Sequence, residues 1–184
     1  MTAMSTAQSP EPTAVEFANT RRARRGVPVE LLPDAEALAA WIRDALGREL
    51  TGLLQPGDLE RFTDLRDAIR SLAAAISDGL PEPAEYLAEL NAAAALAPSW
   101  PELADGRAAQ RTDAGQVDAA LAALAASAIA VFGGPDRTRV RACGRWPVCV
   151  RFFVKNHPRR GYCSPHCANR ARVSRHHERH KNDL

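Results

Sequence analysis

The chain has 184 residues, 46% of them hydrophobic but only 5% aromatic. Much of the apolar fraction is alanine, which buries little area per residue and predicts a thin, mostly helical core; no run approaches the ~18 apolar residues of a membrane span. The formal net charge of +2 conceals a division, because residues 137–184 hold 13 Arg and Lys against Glu178 and Asp183, while residues 1–136 hold 11 basic and 20 acidic side chains. Such a split describes an acidic body carrying a basic head for a polyanion.

Residues 1–13, with Pro10 and Pro12, read as a disordered lead-in. They lack the basic and apolar regions of an export signal, so a cytoplasmic protein is expected. AVEFANT (14–20), with Val15 and Phe17, is compatible with a short strand. RRARRG (21–26) follows, a basic cluster closed by glycine. It reads first as a solvated turn, and second as an anion site shared with the basic head.

Helices come next. Asp34 caps a segment in which Leu38, Trp41, Ile42 and Leu46 share one face. Leu59, Phe62, Leu65, Ile69, Leu72 and Ile76 form a longer stripe that Gly79 stops. A third helix opens at Pro83 and closes near Pro98. Asp105-Gly106 is a hairpin signal between weakly β flanks, and a fourth helix is predicted from about Ala114 to Phe132. GGPDR (133–137) breaks that helix and marks the boundary between a body, residues 14–136, and a head, residues 137–184. The body contains no His or Cys and no glycine-rich phosphate loop. It therefore reads as a binding body, one that senses a small-molecule or protein effector, and not as an enzyme.

All four cysteines lie in the head, as two pairs: Cys143 with Cys149, and Cys163 with Cys167. Each pair can supply one edge of a zinc tetrahedron; two disulfides or free thiols are the alternatives. Ser164-Pro165 is a strong helix opening, with Ser164 as N-cap. It puts Cys163 just before the cap and Cys167 one turn in. Between the pairs, VRFFV is β-prone and NHPRRG is a turn, so the head is expected to be a cysteine loop, a hairpin and a helix. The fold class is thus mainly α with a small β component. So small a head, with few large apolar groups, needs a metal for stability.

On the last helix Arg172, Arg175 and Arg179 follow i, i+3, i+7 and form one basic stripe suited to phosphates or guanine edges. Arg170, Lys181 and the pair Arg159-Arg160 are candidates for added backbone contacts. His176 and His180, an i, i+4 pair, read as polar or phosphate contacts ahead of a second metal site. Trp146, inside the first cysteine loop, reads as a cover for the metal ahead of a base-stacking surface.

RACGRWPVCVRFFV followed by RRGYCSPHCANRARVSRHHERH resembles the CGNR zinc finger family. EFANT, DAEALAAWI and the helix leading into the finger resemble the bacterial stress-induced transcription regulator (ABATE) domain. The resemblance implies one structural zinc on Cys143, Cys149, Cys163 and Cys167, and places the signature asparagine and arginine at Asn169 and Arg170. Ala168 stands where the motif has glycine, and Lys155 where members often have aspartate. The expected function is a DNA-binding transcription regulator, nucleoid-associated when bound. The alternative is a zinc-stabilised RNA- or protein-interaction module.

Overall fold

The computed structural model describes residues 11–24 and 26–182. Residues 1–10 of the expected lead-in, Arg25 of the basic cluster, and the side chains of His180 and Lys181 lie outside the described residues. Residues 11–13 are ordered, in contrast to the expectation. Pro12 opens helix α1 (Thr13–Ala18), and the Glu11 carboxylate accepts from the Val154 amide at 2.8 Å and from Arg160 at 2.6 Å.

Segment 14–20 is thus helix through Ala18 followed by a turn, and not a strand. Ala14, Val15, Phe17 and Ala18 are all buried, so one short turn is held by packing on three sides instead of by propensity. The basic cluster becomes β1 (Arg21–Arg24), paired antiparallel with β2 (Val27–Glu30). Helix α2 (Ala35–Leu46) starts as its sequence signals, with the Asp34 side chain accepting from the Ala37 amide at 2.8 Å.

Helix α3 (Asp58–Asp78) is the central post, and Phe62, Leu65, Ile69 and Leu72 are fully or almost fully buried along it. Helix α4 (Ala84–Ala94) and helix α5 (Gln116–Phe132) pack against α3 and each other, and α1 packs on both α3 and α5. The hairpin of β3 (Trp100–Ala104) and β4 (Arg107–Arg111) turns at Asp105 and Gly106, whose φ values of 50° and 73° are those of a type I′ turn. The chain is mainly helical with small hairpins, as composition and periodicity predict.

The head departs from expectation in its topology. Its hairpin is formed by β5 (Val140–Ala142) and β6 (Phe152–Val154), with the first cysteine pair in the connecting loop. NHPRRG is a turn leading onward to the last helix and not the hairpin bend. Strand periodicity then sends the side chains of β6 to two destinations. Phe152 and Val154 join the core of the body together with Val140, while Phe153 packs with the four cysteines. One strand therefore serves two cores.

Polar ties reinforce the joint. The Asn19 side chain donates to the Phe152 carbonyl at 2.9 Å and accepts from the Phe152 amide at 2.8 Å, a two-point clamp from the end of α1. Arg70 of α3 donates to the carbonyls of Ala18 at 2.6 Å and Val150 at 2.9 Å, and its guanidinium lies 5.4 Å from the Phe152 ring centre. Burial holds its pKa down to about 10. The last helix, α6 (Pro165–Asn182), begins at the cysteines.

Candidate metal centre and nucleic-acid interface

The two cysteine pairs reach one point by different routes. Cys143 directly follows β5, and its amide donates to the Arg151 carbonyl at 2.9 Å, so the hairpin fixes it; Cys149 lies at the other end of the same loop. Gly144, next in the chain, brings this loop against the turn before α6. Its amide donates to the Gly161 carbonyl at 3.0 Å, and a Cβ there would meet that oxygen at 2.7 Å. No side chain fits. Ser164 caps α6, its hydroxyl accepting from the Cys167 amide at 3.3 Å, and this places Cys163 and Cys167 across one turn.

All four cysteines are buried and their Sγ atoms lie within 4.8 Å of one another. Cys149, Cys163 and Cys167 form a triangle with 3.7 Å sides. Zinc–sulfur bonds of ~2.3 Å in a tetrahedron require edges of about 3.8 Å. A disulfide requires ~2.05 Å. The triangle matches the first distance, and all four cysteines are unbridged. This decides among zinc, disulfides and scattered free thiols. The four-cysteine cluster is the site of one structural zinc.

The electrostatics agree with a cation at the centre. Hydrogen bonds from Cys149 and Cys163 draw the Cys143 thiol down to about 2. Its neighbours then resist: the bond to Cys143 pushes Cys149 up to about 11, and bonds to Cys143 and Cys149 push Cys163 far above the ordinary thiol range. Four thiolates in so small a volume need a divalent ion between them.

Aromatic groups close the centre. Phe153 is 1% exposed against the cysteines, and Tyr162 packs on them from the turn. Tyr162 carries no sequence signal beyond its position beside Cys163. Trp146, expected as a cover, is half exposed and sits 6.0 Å from the Phe152 ring instead.

Beyond its first turn α6 stands in solvent. Arg172, Arg175 and Arg179 are exposed, and even Val173 is 47% exposed. At about 100° per residue, the three arginines cluster on one side of the helix. Arg170 and His166 share a different side, roughly opposite, which faces the β1–β2 hairpin. Asn169 and Arg159 are exposed.

Arg160 has another role than the predicted backbone contact. Its guanidinium donates to Glu11, to the carbonyls of Val154, Tyr162 and Cys163, and to Asn156, while lying 4.5 Å from the Phe153 ring centre. With the side chain 10% exposed and its donors engaged, it is an internal brace.

Residues 11–135 match the family described as "Putative stress-induced transcription regulator" (ABATE), and residues 139–180 match the CGNR zinc finger. No curated protein matches the chain.

Proposed function

The chain belongs to the ABATE family and ends in a CGNR zinc finger, which makes it a zinc-binding regulator; from that premise we propose that α6 is the element that grips duplex DNA. The observation that carries this is the exposure of Arg172, Arg175 and Arg179 on one side of a helix whose first turn is fixed at the cysteine cluster. A recognition helix needs this division between an anchored end and a presented face. Arg159 is exposed and stays a candidate for a further backbone contact, whereas Arg160 drops out because its donors are engaged. The ABATE body, with neither His nor Cys in residues 14–136, is then the sensing part, for a small-molecule or protein effector. Among the described residues no helix is long and apolar enough to cross a membrane. In this reading the protein acts in the cytoplasm, at the nucleoid when bound.

The test is R172A/R175A/R179A in the zinc-loaded chain, with duplex affinity followed against salt and zinc content measured in parallel. Loss of three phosphate contacts lowers the salt slope by about three and weakens binding by ten-fold or more, zinc being retained. Unchanged duplex affinity would sink the assignment. Preference for single-stranded RNA or an acidic protein over duplex would move the finger to an interaction module. Selection of genomic fragments by the intact protein then separates a sequence-specific regulator, which recovers a shared site, from a backbone binder, which recovers fragments uniformly.

A further inference from the structure

Between the β1–β2 hairpin of the body and the finger lies a cleft made of two adjoining cavities, of about 370 and 450 Å³. Both are walled by Ala23 on the hairpin and by Cys149, His166 and Cys167 on the finger. Four arginines from three elements line it, Arg145 of the first cysteine loop and Arg170 of α6 in the first cavity, Arg22 of β1 and Arg151 at the far side of that loop in the second. Among the described residues no Asp or Glu lines either cavity. Among the described residues none of these four arginines has an ion pair, although ten pairs occur elsewhere in the molecule. The Nε of Arg151 is buried without a hydrogen-bond partner. Burial, and then the charge of Arg151, lower the pKa of Arg22, so the two cations oppose each other across this space.

Like charges gathered in a concavity are costly unless something offsets them. The zinc centre offsets part. Four thiolates around one divalent zinc leave a formal surplus of two negative charges, and Cys149 and Cys167 face the cleft. Four guanidiniums exceed that surplus by two. A single carboxylate has too little charge and too few oxygens for arginines arriving from three elements. A phosphate group has both, and guanidinium forks match its oxygens.

We propose that this cleft is a phosphate-binding site, built jointly by the β1–β2 hairpin and the finger, with Arg22, Arg145, Arg151 and Arg170 as its donors. It is separate from the Arg172–Arg175–Arg179 stripe, which lies on the other side of α6. A phosphate held there ties the ABATE body to the root of the presented helix, so occupancy bears on how α6 is set. The phosphate belongs either to the duplex backbone or to a free phosphorylated molecule.

The experiment titrates inorganic phosphate into the zinc-loaded full chain by calorimetry, at constant ionic strength with chloride as the balance. The wild-type protein is expected to take up phosphate saturably at one site. R22Q/R170Q, which alters two exposed side chains outside the cysteine set, is expected to bind at least ten-fold more weakly with zinc content unchanged. Absence of saturable uptake by the wild type overturns the proposal, as does equal uptake by the variant. If the wild type takes up no phosphate and the variant loses zinc, the arginines are counter-ions of the thiolates and nothing more. Given uptake, duplex titration in phosphate assigns the source: competition beyond that of matched chloride means a seat for the DNA backbone, and no competition means a free phosphorylated molecule. The site does not depend on DNA recognition by the stripe, since phosphate uptake without duplex binding would leave it standing.

Discussion

Arg160 and Arg172 are both arginines of the basic head, and burial alone separates their roles. The first braces Glu11 and three carbonyls of the finger; the second is exposed on a helix that contacts little else. Arg66 shows the same internal use in the body. It is 3% exposed and donates to both carboxylate oxygens of Glu30, at 2.6 and 2.7 Å. Burial pushes the Glu30 carboxyl up, but the bonds from Arg66 and the Leu32 amide outweigh it, so its pKa lies below the usual carboxylate value. A carboxyl depressed in the folded state stabilises the fold above its unfolded pKa, and that contribution fades as pH falls through the folded one. Glu30→Gln is therefore expected to cost about 1–3 kcal/mol at pH 7, allowing for the partial exposure of Glu30. Denaturation of both proteins should show the difference shrinking below about pH 4. A gap independent of pH would mean that the pair contributes no charge-dependent stability. Gly144→Ala tests a steric requirement instead. Its methyl would meet the Gly161 carbonyl at 2.7 Å, so the first cysteine loop must shift. A cost of about 1–3 kcal/mol should appear as ten-fold or more faster loss of zinc to a chelator. Wild-type retention would show that the turn yields without strain.

Local chemistry made most elements legible. The Asp34 cap, the stripe of α3, the Asp105-Gly106 turn and the Ser164-Pro165 opening each act within a few residues, and each appears where the sequence places it. The cysteine pairs were legible as well, since the only open question was which distances would hold between them. Two elements were not. Residues 14–20 carry β-compatible side chains, and only the surrounding helices and β6 make them helical. VRFFV is strand-forming by composition, but its partner, Val140–Ala142, is too short and charged to be read as a strand. The phosphate cleft was half visible, as a basic cluster at residues 21–26, while Arg145 and Arg151 join it only through the fold. The EFANT stretch illustrates the difference. Phe17 is readable as core, but the Asn19 clamp on Phe152 depends on a strand more than a hundred residues away. Asn19→Ala leaves the amide and carbonyl of Phe152 buried and unpaired. Its expected cost is about 2–4 kcal/mol, measured by equilibrium denaturation of the zinc-loaded chain. A change under about 0.5 kcal/mol would mean that apolar packing alone holds the hairpin to the body.

At the scale of the whole molecule, the finger is not a bead hung on a linker. β6 gives Phe152 and Val154 to the body and Phe153 to the metal centre, so removing zinc dissolves one of its two cores and leaves the other. This leads to a graded response to chelation. The cysteine loop and α6 depend on the four thiolates for their positions, and α6 has no apolar face that the body covers beyond its first turn. An isolated helix of that length is marginal in water. The β5–β6 hairpin, by contrast, keeps Val140, Phe152 and Val154 in the main core, along with the Asn19 clamp and the Arg70 bonds. Hydrogen exchange after zinc removal, in the presence of a thiol reductant, is expected to show α6 amides losing protection. The Phe152 amide should stay protected nearly as well as α3. Simultaneous loss of protection in the hairpin and α6 would mean that the metal sustains the joint as well as the finger, and the two cores would then have to be regarded as one cooperative unit.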